Sequence, residues 1–227
     1  MNPKFITLNL RPHLNADRTS AGWHPEVGTK LRTLPSGRRA YWGVPFDLGP
    51  SEGPCWILLD GAGSSLEVGL DEACAFLVFA HLCDVSHDPQ GQAQPADYAA
   101  GEVTRPGERL ADYVLVYADG SEHRQPIRRR FEVGEAVWVW GQSAFAARPH
   151  LEDEPRDWRG PYPATQWGKY QTGVSRSPTP GMLLYWVYAL ENPFTDKELV
   201  AVRLVPTGSG RMVVCLLYTS PSPRDRS

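Results

Sequence analysis

The chain has 227 residues, 41% of them hydrophobic and 22% charged, with a formal net charge of −3. That balance is too apolar for a disordered chain and sufficient to bury a core. It carries no dense basic patch of the kind that binds nucleic acid or an anionic membrane. The densest basic run, Arg128-Arg129-Arg130, reads as a solvated strand end. No stretch approaches the roughly 18 apolar residues of a membrane-spanning helix. The start, Met1 to Thr7, lacks the apolar core of a signal peptide, so the default expectation is a cytoplasmic protein or one that has lost its true start. Glycine and proline, 21 each, suit many short strands joined by turns.

In chain order, Phe5 to Leu10 alternates with period two and predicts a first strand. Residues 11–40 are rich in Pro, Gly, Arg and Asn and read as a long ordered loop. Tyr41 to Leu48 is extended, with Pro45 placing it near an edge or bulge. Cys55 to Asp60 is a short apolar run ended by Gly61 and Gly63, and Leu66 and Val68 alternate with polar neighbours. Ala73 to Leu82 is nearly all apolar. Its two Phe residues and its Val, without helix caps, favour a buried strand over a short helix. After a polar stretch at 84–111, Asp119-Gly120 separates two extended runs, Tyr113–Ala118 and Ser121–Ile127. This predicts a tight hairpin whose two turn residues tolerate positive φ. Ala136 to Trp140 reads as another strand, residues 146–181 as a second long irregular segment, and Leu183–Leu190 and Glu198–Pro206 as two further strands joined through Asn192-Pro193.

Helical patterns do not alternate with these strands, so an all-β fold, an antiparallel two-sheet β-sandwich of about nine or ten strands, is expected as one domain over residues 1–214. From Cys215 to Asp225 the sequence resembles, over eleven consecutive residues, a translated sequencing-library adapter. Residues 215–227 are therefore expected to be an artefactual, disordered tail, and the natural chain to continue into a longer protein with a further C-terminal domain.

Three blocks then stand in order: Gly43-Val-Pro-Phe46, Tyr117-Ala-Asp-Gly120, and Tyr185 through Glu191-Asn-Pro193 with Leu199 to Leu204. Together they resemble the galactose-binding-like jelly-roll domains attached to bacterial glycoside hydrolases and other multidomain hydrolases. Leu190 stands where the closing motif of that family commonly has Trp. The resemblance implies a jelly-roll sandwich acting as a non-catalytic accessory module, one that binds carbohydrate or docks a catalytic domain.

The residues themselves offer one binding candidate. Within 156–170 lie Trp158, Tyr162, Trp167 and Tyr170 among Arg156, Asp157, Arg159, Gln166 and Lys169. Aromatic rings cover the apolar face of a pyranose while planar polar groups bond its hydroxyls. A loop pinned by its own aromatics, or docked on another domain, is the plainer reading of the same residues. Glu152-Asp153-Glu154 with Asp157 is a candidate for a structural calcium ion, but calcium-loop spacing is absent and a solvated acidic turn explains it as well. No other cofactor is expected.

The histidines show no two-ligand spacing. His81 reads as a satisfied core residue, although His81, Asp84, His87 and Asp88 could span a turn as metal ligands. Cys55 and Cys74 read as buried thiols. No nucleophile motif appears, and no pair of carboxylates stands out for catalysis. Three readings remain open: an accessory binding module, an interaction domain without a small ligand, and a catalytic β-sandwich hydrolase or lyase.

Overall fold

The computed structural model describes residues 6–8, 10–41, 44–61, 63, 65–70, 74–84, 107–139, 141–150, 178–208 and 210–221. Within them the strands are β1 (Ile6–Thr7), β2 (Arg38–Tyr41), β3 (Val44–Asp47), β4 (Ile57–Leu59), β5 (Leu66–Gly69), β6 (Cys74–Cys83), β7 (Arg109–Tyr117), β8 (Glu122–Arg128), β9 (Arg148–Pro149), β10 (Trp186–Glu191), β11 (Leu199–Pro206) and β12 (Met212–Pro221). One sheet has the order β1-β12-β6-β10-β9, with β4 also pairing β12; a second has the order β5-β11-β7-β8; β2 and β3 form a separate ribbon. All these pairings are antiparallel. The fold is an all-β sandwich.

The core follows from strand alternation. On β7, Tyr113, Leu115 and Tyr117 are buried and face the six-stranded sheet, where Tyr113 meets His81 and Phe79 of β6. The continuous apolar run of β6 is buried on both faces except at Phe76, which is 39% exposed. One face meets β7. The other belongs to the same core as Val27, Leu31, Leu34, Tyr41 and Trp56 from the N-terminal stretch. That stretch is more than a loop. It holds two 3-10 turns and a short helix, α1 (Pro25–Gly28), which opens on a proline and a His24 cap. Arg18 ties it together, its guanidinium donating to the carbonyls of Leu31 (3.2 Å) and Pro35 (2.8 Å) while lying over the Trp56 ring. Cys55, Cys74 and Cys83 are buried free thiols.

The hairpin between β7 and β8 forms with a three-residue loop rather than a two-residue turn. Tyr117 N donates to the Ser121 carbonyl, Gly120 N donates to the Tyr117 carbonyl, and of the Asp119-Gly120 pair Gly120 alone takes positive φ, at 81°. A helical bend followed by one left-handed residue is the usual three-residue solution. Strand β8, an edge, carries Pro126, which removes one donor from the exposed rim.

Two expectations need correction. The strand expected over Ala136 to Trp140 is not found at 136–139. The described part, 136–139, crosses one end of the sandwich as a strap held by isolated bridges such as Val137↔Leu183. The backbone of 215–221 is not a disordered tail: it extends β12 along β6, from Cys215↔Ala80 to Pro221↔Cys74, with register shifts at Cys215/Leu217 and Ser220/Pro221. Backbone pairing asks little of side-chain identity, so a lane beside β6 accepts a sequence that composition would leave unstructured.

The chain leading into the strap makes a close approach. A Cβ placed on Gly134 would lie 2.1 Å from Cε2 of Trp186, which is fully buried and donates from Nε1 to the Glu135 carbonyl (2.8 Å). Gly134→Ala is expected to destabilise the fold by about 1–3 kcal/mol through overpacking. Thermal unfolding measures it, and an unchanged midpoint would show that the strap can yield.

Candidate functional site

Strands β6 and β10 run antiparallel in the register Trp186↔His81, so the end of β6 lies beside the start of β10. The start of β7 is paired with the end of β8 through Arg109↔Arg128. The segment 85–106 leaves from Asp84 and returns at Gly107; the segment 151–177 leaves from His150 and returns ahead of β10. Both are therefore rooted at one end of the sandwich. The strap crosses that end: Cys83 N donates to Gly134 O (3.2 Å), Ala136 N to Cys83 O (2.7 Å) and Leu184 N to Ala136 O (2.8 Å).

Beneath the strap lies a buried charge cluster. The Arg129 side chain is only 3% exposed and donates from Nε to Glu108 (2.9 Å) and from Nη1 to Glu135 (3.1 Å) and to the Asp84 carbonyl (2.6 Å). It thus holds both ends of the 85–106 segment. Burial opposes its charge, but neighbouring Cys83, Glu135 and Glu108 outweigh that and hold its pKa above the ordinary arginine value. Arg128 pairs with the buried Glu132 (2.7 Å). The sequence reading of 128–130 as a solvated strand end fails at its middle residue. Ile127 is buried facing the core, and Arg129, two residues on, has the same orientation in the alternation.

The second root is built on aromatics. His150 is buried against Tyr41 (centroids 5.1 Å) and Tyr185 (5.7 Å). The Tyr185 hydroxyl accepts from Trp56 Nε1 (3.0 Å). On the rim, Phe145 is 74% exposed and packs on Phe131 (5.2 Å), with Arg128 over the Phe131 ring (4.5 Å). Val139 and Met182 are exposed nearby, their neighbourhood fixed by Trp138 N donating to Met182 O (2.9 Å).

The binding residues expected from sequence, Arg156, Asp157, Trp158, Tyr162, Gln166, Trp167 and Tyr170, lie outside the described residues, as do the calcium candidates Glu152, Asp153 and Glu154. His87 and Asp88 lie outside them too. His81 is described and is no open ligand: its ring is fully buried, with Nδ1 2.8 Å from the Tyr113 hydroxyl and Nε2 2.9 Å from the Glu132 carbonyl. Asp84 accepts from His24 N (2.9 Å). Among the described residues no group of three His, Cys, Asp or Glu side chains could hold a metal ion, and no helix is long and apolar enough to cross a membrane.

Two of the three sequence motifs meet at the opposite end. The Tyr117 hydroxyl donates to Asn192 Oδ1 (2.7 Å), Asn192 Nδ2 donates to Cys74 O (2.9 Å), and Lys197 pairs with Asp119 (2.8 Å). The Tyr-Ala-Asp-Gly hairpin and the Asn-Pro corner are thus one structural lock, where the chain passes from β10 in one sheet to β11 in the other.

These features define the chain as an all-β, two-sheet sandwich with a locked end and a strapped end, the one that the strap crosses. Comparison with models of known protein families and with curated proteins finds no match.

Proposed function

We propose that this sandwich is a non-catalytic binding module whose ligand meets the strapped end. The observation that carries the reading is that both long segments, 85–106 and 151–177, are rooted at the same end. Loops grouped on a rigid β scaffold are a recurrent way to present a binding surface. Carbohydrate is the ligand class that the aromatic and planar polar residues of 156–170 suit best. The resemblance to galactose-binding-like jelly-roll domains points the same way, toward an accessory module working beside a hydrolase domain.

Titration of the full chain with a panel of soluble glycans tests this. Binding is expected, and Trp158→Ala and Trp167→Ala should each weaken it by up to about tenfold, the scale of one lost aromatic contact. No sugar binding, with both substitutions silent, would remove the carbohydrate assignment. The exposed Phe145, Val139 and Met182 favour a second reading, an interaction domain that meets another protein at this end.

A further inference from the structure

His150 is the last described residue before the segment 151–177, and two hydrogen bonds hold it to Tyr185. Its own N–H donates to the Tyr185 carbonyl (2.7 Å), and its ring Nδ1 accepts from the Tyr185 backbone N–H (2.9 Å). A hydroxyl could turn to suit a protonated ring; a backbone N–H can only donate. The geometry therefore requires Nδ1 to be bare, and the neutral ring carries its proton on Nε2. A proton added at Nδ1 would set N–H against N–H.

The surroundings offer such a charge little compensation: a backbone hydrogen bond with Tyr185 favours it, and burial outweighs that bond. Tyr41 faces the ring from β2 and Tyr185 from the lead-in to β10. Trp56 stands behind Tyr185 with the Arg18 guanidinium over it, and Arg148 lies on β9 itself. These are neutral aromatic rings and cations. Among the described residues no carboxylate contacts the ring.

We propose that His150 is a pH-sensitive latch: its protonation breaks the Tyr185 N–H bond to Nδ1 and detaches β9 from β10 at the strapped end. Burial lowers its pKa from 6.5 to about 4, so the latch is shut at neutral pH and strained open by acid. Its regulatory meaning rests on the binding reading above, but the latch itself is tested without any ligand, so failure of one is distinguishable from failure of the other.

The test is native-state amide exchange of the full chain at low denaturant, with the ring nitrogens of His150 followed by NMR. Tyr185 N–H is expected to exchange through a local, denaturant-insensitive opening. Corrected for intrinsic rate, that opening should grow about 30-fold between pH 7.5 and 5, from the spread between the closed and ordinary pKa values. His150→Gln, whose side-chain carbonyl can accept the same bond without titrating, should abolish the growth. The same growth in His150→Gln overturns the latch, as does exchange of Tyr185 only through global unfolding at both pH values. Should the variant not fold, the wild-type ring decides: protonation of Nδ1 near pH 6.5 with the Tyr185 amide still protected also overturns it.

Discussion

Replacing Arg129 with methionine is expected to destabilise the protein by about 3–5 kcal/mol, the scale for removing one partner of a buried ion pair. The change leaves the Glu108 and Glu135 carboxylates facing each other's field under the strap, and leaves the Asp84 carbonyl without its donor. The loss has a pH signature. The stranded carboxyls can recover by taking up protons, so the destabilisation should be smaller at pH 5 than at pH 8. Lysine should restore less than half of the stability, because one ammonium cannot reproduce the fork that reaches three acceptors. Urea unfolding at both pH values measures all of this. A loss under about 1 kcal/mol would mean that water reaches the cluster and screens it.

Acid is expected to weaken the fold well above the range where carboxylates titrate. Burial lowers the pKa of His81 from 6.5 to about 3 and that of His150 to about 4. Both folded-state values lie below the unfolded one, so between pH 6.5 and about 4 the unfolded chain binds protons that the folded chain refuses. Stability is full above pH 6.5 and falls as pH drops through that window. At about 1.4 kcal/mol per pH unit per group, the two rings together remove about 4 kcal/mol by pH 5. His81→Gln should reduce the slope by about half in that window. Chemical denaturation at pH 7, 6 and 5 provides the check: half the slope would show that one ring gains a compensating partner on protonation, and a flat profile that both do.

Where one local pattern decided the outcome, the sequence could be read directly. The run from Cys74 to Cys83 is too continuous to be half-exposed and became a strand buried on both faces at every position but Phe76. Asp119-Gly120 marked its hairpin, although the loop length depended on which residue took positive φ. The strap at 136–139 misled because Val137 and Val139 alternate as a strand would, while the preceding glycine admits Trp186 and turns the chain across the end of the sandwich. In the N-terminal stretch Val27, Leu31 and Leu34 are spaced as on one helix face, and the chain there forms one short helix ending at Gly28 and a 3-10 turn over Leu31–Thr33, ahead of Pro35. The latch and the charge cluster were less accessible. His150 and Arg129 acquire their roles from partners 35 and 21 residues away, and no spacing rule reaches that far. The aromatic positions of 156–170 were visible by composition alone, which names a chemistry without placing it.

Strand β12 comes last of the twelve, yet it lies inside the six-stranded sheet, between β6 on one side and β1 and β4 on the other. During synthesis β6 therefore waits for more than 120 residues to emerge before its second edge is covered, since Met212 pairs with Cys83. Long-range closures of this kind are slow to form and leave an apolar strand exposed in the meantime. Folding should thus end, rather than begin, with this sheet. The hairpin of β7 and β8 is the local unit able to form first, and a nascent chain stalled before residue 212 would offer β6 to whatever strand or chaperone met it.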